Sequence, residues 1–305
     1  STEVLLGNYY GVSDQMVTIL EGIVGKVSLG TTVEYKHATL LDRENINPID
    51  WTTGEAHNYD VIVAVMGISG LLEGEEGESI ASPDRGDRFD IRLPQNQVDY
   101  LRKLRSKGDK PIILILTGGS PVAIPEVPEL VDAILWVWYP GEQGGNAAAD
   151  VLFGDVNPAG RLPITFPKSV DQLPAYDDYS MEGRTYRYMT DDPLYPFGFG
   201  LSYSKFNYQD IKLSASEIKK NDSIEVTVTV VNNGPFDGDE VVQCYLTDVE
   251  ASTRTPRFAL KGFKRIHLKS GESSRVNFAI TPEMMMLVND DGEKVLEKGQ
   301  FKITV

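Results

Sequence analysis

The residues best suited by type and spacing to do chemistry lie in one short acidic, glycine-rich segment. It reads Gly67-Ile68-Ser69-Gly70-Leu71-Leu72-Glu73-Gly74-Glu75-Glu76-Gly77-Glu78. A carboxylic acid kept protonated by burial or by a neighbouring charge can protonate a poor leaving group near neutral pH. Glycines beside it let the backbone approach a ligand and adopt positive φ. A solvated acidic loop and a weak cation site fit the same residues. The alternating Asp/Asn ligands of a calcium loop are missing. Thr117-Gly118-Gly119-Ser120 matches neither of the glycine-rich phosphate cradles. On the residues alone, the segment is an acidic ligand-binding loop.

The elements that must position this loop read as two halves of different periodicity. Asp60 to Gly67 is a continuous apolar run, the form of a strand buried on both faces. Pro111 to Leu116 and Ala133 to Tyr139 are further strands of this kind. Between them come helical patterns: Val17, Leu20 and Val24, with Ser13 or Asp14 as N-cap and Gly25 as stop; Val98, Leu101 and Leu104 after Pro94; and Asn146 to Phe153, closed by Gly154. This alternation predicts an α/β fold, an open and mostly parallel sheet with helices on both faces. In such a sheet ligands sit at the carboxyl ends of the strands, where the acidic loop falls.

From about residue 206 the period becomes two. Ile224, Val226, Val228 and Val230 face one way, and Ser223, Glu225, Thr227 and Thr229 the other. Short strands at Val241 to Leu246, Ala259 to Leu268, Ser274 to Ile280 and Gln300 to Val305 complete an all-β sandwich. The expected organisation is an α/β domain over 1–167, a connector over 168–205 whose aromatics need burial, and a sandwich over 206–305.

Composition narrows the function. The 305 residues carry 29 Lys+Arg against 45 Asp+Glu, a formal charge of −16, which argues against binding nucleic acid, a ligand that requires a positive face. No run of about 18 apolar residues is present to span a membrane as a helix. Cys244 is the single cysteine, which rules out an internal disulfide and a thiolate zinc site. His37, His57 and His267 show no metal-ligand spacing. No cofactor and no metal is expected.

Four segments in order carry a resemblance. They are Ile113-Leu114-Ile115-Leu116-Thr117-Gly118-Gly119-Ser120-Pro121-Val122; Trp138-Tyr139-Pro140-Gly141-Glu142-Gln143-Gly144-Gly145-Asn146-Ala147; Gly154-Asp155-Val156-Asn157-Pro158-Ala159-Gly160-Arg161-Leu162-Pro163; and Leu194-Tyr195-Pro196-Phe197-Gly198-Phe199-Gly200-Leu201-Ser202-Tyr203. Together they resemble glycoside hydrolase family 3. The second half, including Leu260-Lys261-Gly262-Phe263-Lys264-Arg265, resembles the fibronectin-type-III-like domain that ends many of these enzymes.

The resemblance implies retaining, exo-acting hydrolysis of β-linked oligosaccharides or aryl and alkyl glycosides from their non-reducing ends. The nucleophilic aspartate is implied on an N-terminal barrel domain, a partner that this chain does not contain. The general acid/base is implied in the acidic loop: Glu75 is the first choice and Glu73 the alternative, with Asp87 and Arg88 downstream as loop-orienting or substrate-binding residues. The loop departs from the simpler family pattern by carrying Glu76 where many relatives have glycine. Leu72-Glu73-Gly74-Glu75 resembles the β-xylosidase and arabinofuranosidase branch, with β-glucosidase next. A non-catalytic carbohydrate-binding or assembly module is the reading of a different class. The resemblance also implies that a first strand precedes Ser1, so that the chain is expected to be a fragment or one part of a nicked enzyme. It favours a periplasmic or secreted location.

Overall fold

The computed structural model describes residues 2–305 apart from 8–10, 12, 48–49, 74–78, 80, 83–84 and 87. By compactness the described chain falls into two units. One comprises Ser1–Val156 with Phe166–Leu173, the other Asn157–Thr165 with Pro174–Val305.

The first unit contains helices α1 (Glu3–Leu6), α2 (Ile19–Lys26) and α3 (Thr52–Glu55), then strand β1 (Ile62–Gly67), helices α4 (Gly70–Glu73) and α5 (Gln95–Ser106), strands β2 (Ile112–Thr117) and β3 (Ala133–Trp138), and helix α6 (Gly144–Leu152). The strands form one parallel sheet in the order β1-β2-β3. The central strand is the most buried: Ile112, Leu114, Ile115 and Leu116 are fully enclosed. Ile115 packs with Ile19 of α2 and Ala148 of α6, joined by Val63, Leu135 and Val137, so α2 and α6 cover one face. Leu114 and Leu116 point the other way by strand alternation. Helix α5 buries Val98, Leu101 and Leu104 as their spacing predicts, and its Gln97 side chain bonds both the N–H and the carbonyl of Gly67 at the end of β1.

Two local expectations are corrected. Helix α2 begins at Ile19, and its N-cap is Thr18 rather than Ser13 or Asp14. Thr18 and Glu21 form a reciprocal capping box, satisfying two N–H groups that the helix itself cannot. Gly25 lies within the helix, and the buried residues are Ile19 and Gly22, leaving Val24 52% exposed. Contact with α6 selects this face. A β-carbon on Gly22 would meet Gly145 O at 2.0 Å, and one on Gly145 would meet Thr18 O at 2.0 Å, so only glycines admit the approach. The continuous apolar run of β1 predicts burial on both faces, yet Val65 is 46% exposed. Among the described residues β1 pairs with β2 alone, and at this sheet edge the helical layer leaves Val65 open.

The second unit contains helix α7 (Thr185–Tyr188) and strands β4 (Phe206–Leu213), β5 (Ile224–Asn232), β6 (Gly238–Asp248), β7 (Ala259–Leu268), β8 (Ser273–Ile280), β9 (Leu287–Val288), β10 (Lys294–Val295) and β11 (Phe301–Thr304). Its two larger sheets are antiparallel, in the orders β11-β6-β7 and β4-β5-β8. The period of two in β5 is met residue by residue: Ile224, Val226, Val228 and Val230 are buried with Val242, Cys244, Leu246, Val276, Phe278 and Ile280. Burial pushes the Cys244 thiol up to about 11. Several aromatics from 174–205 pack within this unit. Tyr186 stacks on Phe197 at 4.2 Å and accepts a bond from Leu260 N–H, while Tyr195 stacks on Phe199. Tyr176 and Tyr179 are exposed.

Candidate active site at the strand ends

The three parallel strands end at one edge of the sheet, and the sequence after each one contributes to the same point. Gly67 closes β1 at φ +136°, where a β-carbon would lie 2.1 Å from Thr117 O. Glycine therefore lets the chain cross directly over the end of β2 before turning into α4. Helix α4 is a single turn, and its last residue is Glu73.

After β2 come Gly118, Gly119 and Ser120. A β-carbon on Gly118 would lie 2.8 Å from Ile68 Cγ1, and one on Gly119 would lie 2.9 Å from Tyr139 Cε2 and 3.0 Å from Glu73 Oε1. The turn thus brings its bare backbone up to the side chains opposite.

Strand β3 reaches the same point through a register shift. Leu116 pairs with Trp136 and Thr117 with Trp138, so Val137 is the extra residue of a bulge, and Trp138 adopts φ +56°. Bulges re-aim the side chains beside them. Here Trp136 and Trp138 both pack edge-to-face on Phe166, at 5.1 and 6.1 Å, and Tyr139 turns towards β1 and β2.

The result is a carboxylate held by both other strand ends. Gly119 N–H and the Tyr139 hydroxyl donate to Glu73 Oε1, and the Ser120 hydroxyl donates to Oε2. Ser120 Oγ in turn accepts from Arg88 Nη2 at 2.7 Å, and the same nitrogen reaches the Pro121 carbonyl at 3.3 Å. Burial pulls the Arg88 guanidinium below its ordinary range, and the Glu73 carboxylate opposes this. Burial, reinforced by the Glu73 carboxylate that takes its hydrogen bond, pushes the Tyr139 phenol well above the ordinary tyrosine range. The phenol is therefore held in the protonated form that its hydrogen bond to Glu73 requires.

Of the residues singled out in the sequence, Glu73 and Arg88 meet in this network through Ser120. Glu75 and Asp87 lie outside the described residues. Gly119, Ser120 and Tyr139 do not stand out by residue type. Their signal is position, since each follows a buried strand that ends at this edge. Among the described residues, no group of three His, Cys, Asp or Glu side chains is placed to hold a metal ion, and no helix is long and apolar enough to cross a membrane.

Comparison with known proteins agrees with this architecture. The family model of the glycosyl hydrolase family 3 C-terminal domain matches residues 1–203, and that of the fibronectin type III-like domain matches residues 240–305. The chain is 36% identical to a periplasmic beta-glucosidase of Salmonella typhimurium, covering 97% of this chain and 41% of that protein. It is 38% identical to a beta-xylosidase of Formosa agariphila, covering 99% and 41%. Among solved structures, a beta-glucosidase from Listeria innocua in complex with isofagomine superposes with a TM-score of 0.82 at 30% identity, over 99% of this chain and 42% of that one. A GH3 exo-beta-xylosidase in complex with a xylobiose aziridine probe superposes with a TM-score of 0.85 at 27% identity, over 99% and 41%. The chain thus spans about two fifths of the length of these relatives.

Proposed function

The chain belongs to glycosyl hydrolase family 3, and from that premise we propose that it supplies the general acid/base to a retaining, exo-acting β-glycosidase. The nucleophilic aspartate comes from a barrel domain outside this chain. In this reading a protonated glutamate of the acidic loop, Glu75 first and Glu73 as the alternative, donates its proton to the glycosidic oxygen. The bond from that oxygen to the anomeric carbon breaks as the aspartate bonds to the carbon. The same glutamate, now a carboxylate, takes a proton from water, and the water oxygen displaces the aspartate. Asp87 and Arg88 orient the loop or bind the substrate.

What supports this reading most is the convergence of three parallel strand ends on the residue that opens the acidic loop. The substrate is a β-linked sugar. Leu72-Glu73-Gly74-Glu75 favours a xyloside or arabinofuranoside over a glucoside, and the relatives include both xylosidases and glucosidases. A location outside the cytoplasm fits the relative that is named periplasmic.

The test is Glu75→Gln in the full-length enzyme, assayed on aryl β-xylosides and β-glucosides. Loss of turnover on phenyl glycosides, partial retention on 2,4-dinitrophenyl glycosides and restoration by azide identify the acid/base. The same pattern in Glu73→Gln alone moves the role to Glu73. Wild-type kinetics in both variants remove the acid/base from this loop.

A further inference from the structure

We infer that Glu73 is a positioning residue, the fixed foot from which the acidic loop leaves the sheet, with Gly119, Ser120 and Tyr139 as its socket. This rests on the reading that the proton donor lies in the segment that follows, and it goes further by assigning Glu73 and its partners a role distinct from proton donation.

The argument begins with the acceptors. Glu73 Oε1 takes protons from Gly119 N–H and Tyr139, and Oε2 takes one from Ser120. A group that protonates a leaving oxygen needs a carboxyl oxygen that carries a proton and faces the ligand. Both oxygens of Glu73 instead face donors of the protein. The donors themselves are fixed: Gly119 by a turn that admits no β-carbon, Tyr139 by the β3 bulge, and Ser120 by Arg88. Hydrogen bonds to an ionised acceptor are the strong kind, and three of them converge here on one side chain.

Geometry then supplies the function. Helix α4 is one turn long and ends at Glu73, so a helical core of its own cannot hold its direction. The clamp on its last side chain ties that turn to β2 and β3. The turn is thereby fixed as far as Glu73, the residue from which the segment carrying Glu75 continues. A catalytic group displaced by about 1 Å loses on the order of 100-fold in rate, so a clamp one or two residues away is felt in kcat.

The experiment uses the full-length enzyme with phenyl and 2,4-dinitrophenyl β-xylosides and β-glucosides, comparing Glu73→Gln, Ser120→Ala and Tyr139→Phe. Glu73→Gln is expected to lower kcat by roughly 10- to 100-fold. The basic limb of its pH profile persists, and azide does not restore its rate. Ser120→Ala and Tyr139→Phe, which each remove one donor and keep the carboxylate, lose less. Tyr139→Phe added to Glu73→Gln costs nothing more, because the pair acts as a unit.

Azide rescue with loss of the basic limb in Glu73→Gln overturns the inference and makes Glu73 the proton donor, leaving the glycosidase reading in place. Wild-type kcat in all three variants, with only a lowered Tm, also overturns it and makes the clamp purely structural. Failure of the glycosidase reading is seen separately, when the wild-type enzyme hydrolyses neither class of aryl glycoside.

Discussion

Gly119 stands so close to Tyr139 that a β-carbon on it would lie 2.9 Å from Cε2 of the ring, with Glu73 Oε1 only 3.0 Å away. The glycine is required by space, since its N–H must reach the carboxylate that the phenol also holds. Gly119→Ala should push the ring or the carboxylate aside at an overpacking cost of about 1–3 kcal/mol. In the full-length enzyme it is expected to lower kcat on aryl β-glycosides more than it raises KM. Steady-state kinetics beside a thermal melt checks this.

Arg161 and Glu240 form an ion pair at 2.6 Å, with side chains only 12% and 9% exposed, and Tyr208 donates to the other carboxylate oxygen. Removing one member strands a buried charge, which costs about 3–5 kcal/mol. Arg161→Met and Glu240→Gln are each expected to lower stability, and the double variant to recover much of the loss. Urea unfolding of the four proteins measures the coupling.

Asp132 accepts from Ile112 N–H at the start of β2 and pairs with Arg105 of α5. The N–H first and the guanidinium second hold its carboxyl below the usual range. A depressed folded pKa stabilises above the unfolded value, about 3.9, and the contribution is lost as pH falls through the folded one. The Tm of Asp132→Asn should lie below wild type at pH 7, with the gap closing as the pH drops below about 4. Melts across pH 2–7 test the sign, and a gap that persists at the acid end contradicts it.

Phe166 is buried against Trp136 and Trp138, the two tryptophans flanking the bulge that aims Tyr139. Phe166→Ala should cost about 3–5 kcal/mol as a cavity. It should also red-shift tryptophan emission, because both rings lose their shared neighbour. Fluorescence and denaturant unfolding report the two effects.

Much of the fold was legible because its signals are local. A period of two marks β5, an unbroken apolar run marks β2, and both are properties of neighbouring residues. The capping box of Thr18 and Glu21 was equally local, but the more distant Ser13 and Asp14 competed with it on residue type alone. Strand-end position likewise marks the acidic loop in the sequence. Only the tertiary structure showed that Glu73 is clamped. The donors to Glu73 lie 46, 47 and 66 positions away in the chain, and they meet it through parallel pairing and a one-residue bulge. Register and bulges are set by pairing between distant strands, so no window of sequence contains them.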